Sequence, residues 1–127
     1  MNGTTAPSLT TFFGLYERHH GLPRGESELP DRWRSPGASF DRSTPVVTAA
    51  STDPLGTEHG GPLVNTALEV VGVVFDGNVQ SAAGEYLFLP DRMRTVAVDI
   101  RGVIEGLSDV YDADHLVQEM TQEDASP

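Results

Sequence analysis

The residues able to do chemistry stand in two short stretches, each beside an apolar run. Thr57-Glu58-His59-Gly60-Gly61-Pro62-Leu63-Val64 brings an acid, an imidazole and two glycines to the start of one run. Glycines there let the backbone turn sharply before the run begins. His59 can attack acyl groups in principle, yet a nucleophilic triad needs an activated hydroxyl or thiol, which this position does not supply. Glu58 is the nearest base, but adjacent loop residues point apart, and the simpler reading of His59 is a loop residue without chemistry. The second stretch, Asp76-Gly77-Asn78, follows the run Val70–Phe75. By composition these three residues form an ordinary turn after the strand.

The remaining histidines offer less. His19 and His20 are neighbours at a helix end, do not share a face, and have no spaced third ligand. His115 sits among acids and reads as a surface residue. No metal site and no cofactor are expected. The acids Asp109, Asp112, Asp114, Glu119, Glu123 and Asp124 read as a solvated face.

The elements that must position these residues follow from periodicity. Residues 1–9 are expected to be a disordered leader, residues 10–121 one folded unit, and residues 122–127 a polar tail. A helix is predicted over Thr11–His19, with Phe12, Leu15 and Tyr16 on one face and Gly21 as the stop. Residues 21–44 are rich in Pro, Gly, Ser and Arg, and only a helical turn near Pro30–Trp33 is expected there. Pro45–Ala50 reads as a strand and Ser51–Gly61 as a loop. Pro62–Val64 and Leu68–Phe75 form a hairpin through Asn65, Thr66 and Ala67. Val70–Phe75 is β-branched almost throughout and apolar on both faces, which predicts a buried central strand. Tyr86–Leu89 and Thr95–Val98 are further strands around a Pro90-Asp91-Arg92 turn. Ile100 to Tyr111 then shows helical spacing with Asp99 as N-cap, and a last helix starts near Asp112 with Leu116, Val117 and Met120 as its apolar face.

Composition narrows the class. The 127 residues carry 19 acids against 8 bases, a net charge of −11, so phosphate backbones are repelled and nucleic acid is not an expected partner. No run approaches the ~18 apolar residues of a membrane span. The first residues lack the basic and apolar regions of a signal peptide. Without cysteine there are no disulfides or thiolate zinc sites.

Several segments in a fixed order carry a resemblance. Gly60-Gly61-Pro62-Leu63-Val64 is similar to half of the G-D-S-G-G-P-L-V signature of trypsin-like proteases. More of the chain resembles the bacterial dipeptidyl peptidases of serine-peptidase family forty-six, in which G-N-S-G-S-P precedes a hairpin and then F-D-G-N or F-D-R. Here Gly60-Gly61-Pro62 and Phe75-Asp76-Gly77-Asn78 stand in those places. Thr10–Arg18, Leu29–Trp33, Ser51-Thr52-Asp53, Gly84–Phe88 and Val96–Arg101 are similar to further family segments, so the resemblance spans roughly residues 10–121. It implies a mainly β fold with C-terminal α-helices, an incomplete second β-barrel of a trypsin-like (chymotrypsin-fold) peptidase.

It also implies an activity: serine-type release of dipeptides from peptide N-termini, with peptide N-termini as partners and a periplasmic or extracellular location. Asp76 would help hold the free amine. Gly77 would leave the specificity pocket open to an apolar side chain, where arginine would pair with an acidic one. Thr57, Glu58 and Gly60 would belong to the oxyanion loop. The departure is His59, which stands where the family has its nucleophilic serine. The family's histidine and aspartate lie in an upstream barrel that a chain starting this late is expected to lack. The expectation is therefore a truncated, inactive peptidase piece that self-associates through exposed strand edges. A non-catalytic module that binds peptide N-termini is the alternative. A half-enzyme completed by a second chain would still want a serine.

Overall fold

The computed structural model describes residues 9–21, 28–52, 60–78, 89 and 91–122. In chain order the elements are β1 (Leu9–Thr11), α1 (Phe12–Gly21), α2 (Asp31–Arg34), β2 (Pro45–Ala50), β3 (Pro62–Val64), β4 (Val70–Gly77), β5 (Thr95–Asp99), α3 (Ile100–Asp109) and α4 (Asp114–Thr121). The strands form one antiparallel sheet in the order β1-β2-β5-β4-β3. The expected mainly β fold with C-terminal helices is what the chain adopts.

β5 lies at the centre because Thr95-Val96-Ala97-Val98 alternates cleanly. Thr95, Ala97 and Asp99 are almost completely buried, at 3%, 0% and 3% exposure, while Val96 and Val98 are half-buried. Register puts Gly72 and Val74 of β4 on the Ala97 side, and Val73 with Val98 and Val47 on the other. α3 packs on the first of these faces. A Cβ on Gly102 would lie 2.6 Å from the Pro45 carbonyl oxygen, so only glycine lets the helix approach β2 this closely.

Asp99 ends β5 and starts α3. Its carboxylate accepts the Arg101 N–H at 3.0 Å and a two-point ion pair from the same residue's guanidinium at 2.9 and 2.8 Å. The expected N-cap is thus present. The Arg101 guanidinium holds the Asp99 carboxyl below the usual carboxylate range, against the opposing effect of burial.

Residues 21–44, expected to be mostly loop, add Leu29, Trp33 and Phe40 to the face that Phe12 and Tyr16 were expected to share. Phe12, Tyr16 and Leu29 are buried, with Trp33, Phe40 and Val46 packed against them. Phe12 lies 4.8 Å from Phe40 and 5.5 Å from Trp33, centroid to centroid. The Tyr16 hydroxyl donates to the Trp33 carbonyl at 2.5 Å. Trp33 in turn donates its indole N–H to the Tyr111 hydroxyl at 3.1 Å, tying α2 to the end of α3. Tilted aromatic contacts of this kind need no secondary-structure period, which is why periodicity missed them.

Other expectations need correction. Leu9 and Thr11, read as leader and helix, belong to β1, which pairs with β2. Leu15 faces outward at 36% exposure, because only Phe12 and Tyr16, four apart, reach the aromatic cluster. α4 starts two residues later than expected, after Asp112 takes a left-handed φ of 53°. Of its apolar side Val117 is half-buried, while Leu116 and Met120 are 39% and 49% exposed. β4 is flanked on both sides, as expected, but is not buried: Val70, Val73 and Phe75 are 48%, 37% and 41% exposed. The physical reason is that α3 covers one sheet face and no described residue closes over the other. Of the strand read at Tyr86–Leu89, all but Leu89 lies outside the described residues.

Candidate functional site

β4 follows from four valines, at 70, 71, 73 and 74, in a pairing that runs from Gly72 opposite Asp99 to Gly77 opposite Thr95. The register slips once. Val74 pairs with Ala97 and Asp76 with Val96, so Phe75 is an extra residue, a β-bulge. Phe75 and Asp76 thereby both lie on the Val96 face, and Gly77 falls on the covered face against Thr95. Asp76 and Gly77 are strand residues, not a turn.

Asp76 is exposed. Its Oδ1 accepts the Gly77 N–H at 2.8 Å, leaving Oδ2 without a protein partner among the described residues. A carboxylate fixed by one oxygen and open at the other can accept from a cationic amine. Beside it, Asn78 binds the Arg94 backbone through both its N–H and its Oδ1.

The glycine-rich stretch arrives on the other side of the same strand. Gly60 has φ +91°, a conformation that residues with a Cβ rarely take. Its N–H donates to the Val74 carbonyl at 2.7 Å, and Val74 N–H donates to the Gly61 carbonyl at 2.8 Å. The Gly60 amide is therefore engaged with β4. Thr57, Glu58 and His59 lie outside the described residues. The segment that carries them leaves the sheet at Thr52, whose hydroxyl donates to Thr95 Oγ1 at 2.9 Å. Thr95 returns a hydrogen bond to the Thr52 carbonyl at 3.3 Å.

The Thr52 end of that stretch thus bonds to Thr95, the partner of Gly77, while its Gly60 end bonds to Val74 of the same β4 that carries Asp76. The sequence pointed to Gly60, Asp76 and Gly77. It did not single out Thr95, whose role comes from pairing across the sheet and leaves no local signal. His19, His20 and His115 are elsewhere. His19 Nδ1 accepts the Leu29 N–H at 3.4 Å, which is a structural contact, and His115 is exposed on α4. Among the described residues no three His, Asp or Glu side chains are grouped to hold a metal.

Comparison with known proteins decides the family, since a match to Peptidase S46 covers residues 1–122. The chain belongs to the peptidase S46 family. Among curated relatives, dipeptidyl-peptidase 7 of Capnocytophaga gingivalis is 36% identical over 81 residues, 64% of this chain and 11% of that protein. The Asp/Glu-specific dipeptidyl-peptidase of Porphyromonas gingivalis is 32% identical over 111 residues, 75% of this chain and 15% of that protein. This S46 chain therefore spans a small part of the length of the relatives it matches. Its fold is similar to part of crystallised Porphyromonas endodontalis DPP11 in complex with substrate, with a TM-score of 0.79 and 23% identity over 97% of this chain and 19% of that one. The same enzyme with the dipeptide Arg-Glu gives 0.79 at 22% identity. The β-rich part of a peptidase fold expected from the sequence is what the S46 chain contains.

Proposed function

We propose that this chain is the part of a serine-type dipeptidyl peptidase that receives the amino terminus of a peptide, and that it binds without cleaving. The observation that carries the reading is Asp76, exposed at the bulged end of β4 with one carboxylate oxygen anchored and the other open. A protonated peptide amine placed there gains a charge-assisted hydrogen bond that an acylated one cannot make. Membership of peptidase S46 and the relatives' names, dipeptidyl peptidases, support the substrate class. The family resemblance assigns residue 77 to the side-chain pocket, where glycine leaves room for an apolar residue and offers no cation to an acidic one. Burying such a side chain is worth about 1.5–3 kcal/mol. His59 stands where the family's serine would be, and loss of a triad nucleophile lowers turnover by a factor of ~10⁴–10⁶.

Calorimetric titration of the whole chain with an unblocked Leu-Leu amide and its N-acetyl counterpart tests the reading. The free amine should bind at least about tenfold tighter, and Asp76→Ala should abolish the difference. Equal affinities in the unaltered chain would overturn it. A fluorophosphonate probe should leave the chain unlabelled, and an adduct within residues 56–62 would refute the loss of catalysis.

A further inference from the structure

Past its last ladder pair, Gly77 with Thr95, β4 remains fastened to the sheet. Asn78 donates its N–H to the Arg94 carbonyl at 3.0 Å and accepts the Arg94 N–H on Oδ1 at 3.0 Å. Its Nδ2 donates to the Arg92 carbonyl at 2.6 Å. The side-chain amide therefore supplies the donor and acceptor that a further strand residue would have offered. The ladder needs that support here. Phe75 interrupts the pairing just before Asp76, and Gly77 has no side chain to pack. Without Asn78, the two site residues would stand between a bulge and a free strand end.

We propose that Asn78 is a positioning residue, which fixes Asp76 and Gly77 in register with Val96 and Thr95 so that the open Asp76 oxygen is presented in one place. The inference rests on the reading of Asp76 as the seat of a peptide amine. The chemistry is specific to a short amide. Aspartate keeps the acceptor for Arg94 but sets a carboxylate against the Arg92 carbonyl, alanine removes both contacts, and glutamine is one methylene too long.

The test uses the full chain and its Asn78→Ala and Asn78→Asp variants, with amide hydrogen exchange and dipeptide titration measured side by side. In Asn78→Ala the Arg94 N–H loses its side-chain acceptor and should exchange about tenfold faster, while Val47 and Val98 keep their rates. The affinity ratio of free to N-acetylated Leu-Leu amide should fall by a similar factor, with the circular dichroism spectrum unchanged. A strand end with only a structural role would leave that ratio alone. Unaltered exchange in both variants would overturn the inference whatever the peptides do, and so would faster exchange with an unaltered ratio. If the unaltered chain itself shows no preference for the free amine, the peptide reading of Asp76 fails, and exchange alone then decides whether Asn78 holds the pair.

Discussion

Asp99 is the residue on which the join between sheet and helix turns. It is nearly buried, while its partner Arg101 reaches out to water, with side-chain exposures of 5% and 58%. Removing the acid therefore strands no buried cation but costs the cap, so Asp99→Ala should destabilise the chain by about 1–2 kcal/mol in urea unfolding. Because folding lowers the Asp99 pKa, its contribution is complete above the carboxyl's unfolded value, about 3.9. It is lost as the pH falls through the lower folded value. Stability of Asp99→Ala and of the unaltered chain should therefore converge in acid, and a gap that stays constant from pH 6 to about pH 2 would contradict the assignment. At the site itself, Gly77→Arg should reverse side-chain preference. A guanidinium at that position pairs with a carboxylate, so the affinity ratio of Leu-Asp amide to Leu-Leu amide should rise at least about tenfold. No change in the ratio would mean that residue 77 does not face the bound side chain.

Among the elements, α3 and β2 are held at a distance that only a missing side chain permits. Gly102→Ala would bring a methyl against the Pro45 carbonyl oxygen and the Val46 Cα, both backbone atoms that cannot swing aside. Overpacking of this kind should cost about 1–3 kcal/mol, and a denaturation midpoint equal to that of the unaltered chain would show that α3 can shift freely. The helix itself was legible in the sequence, because Ile100 to Tyr111 keeps a helical period and Asp99 is a recognisable cap. The β4 run was legible for the same kind of reason, a dense set of β-branched residues. β1 was not: Leu9-Thr10-Thr11 is too short to show a period and gains its identity only by pairing with residues 45–48. The aromatic core was legible only in part: Phe12 and Tyr16 share a helical face, whereas Trp33 and Phe40 meet them from a loop-rich segment. The site was half legible. Asp76-Gly77-Asn78 has the composition of a turn, and what keeps it in the sheet is a bulge and a side-chain amide bonded to residues 92–94, neither of which exists in one strand alone.

Across the whole molecule, the sheet presents one face to α3 and leaves Val73 and Phe75 of the other face partly exposed among the described residues. Its edges are modest by comparison. β1 and β3 have three residues each, and Pro62 contributes no N–H. Self-association is therefore expected through the apolar face rather than through edge pairing, opposed by a net charge of −11. Sedimentation equilibrium checks this: Val73→Asp should shift the chain towards monomer, more so at low salt, whereas Val64→Lys on the β3 edge should have little effect. The opposite ranking would place the contact on the edge. The strand order has a consequence for how the chain is made. β5 joins the β1–β2 pair to the β4–β3 pair, yet among the described strands it is the last to be synthesised. Until Thr95–Asp99 has cleared the ribosome, the two pairs have nothing to bind them together. The valines of β2 must wait for a strand that begins 45 residues after β2 ends, and those of β4 for one that begins 18 residues on. The N-terminal aromatic cluster can collapse early, but the sheet closes in one late event.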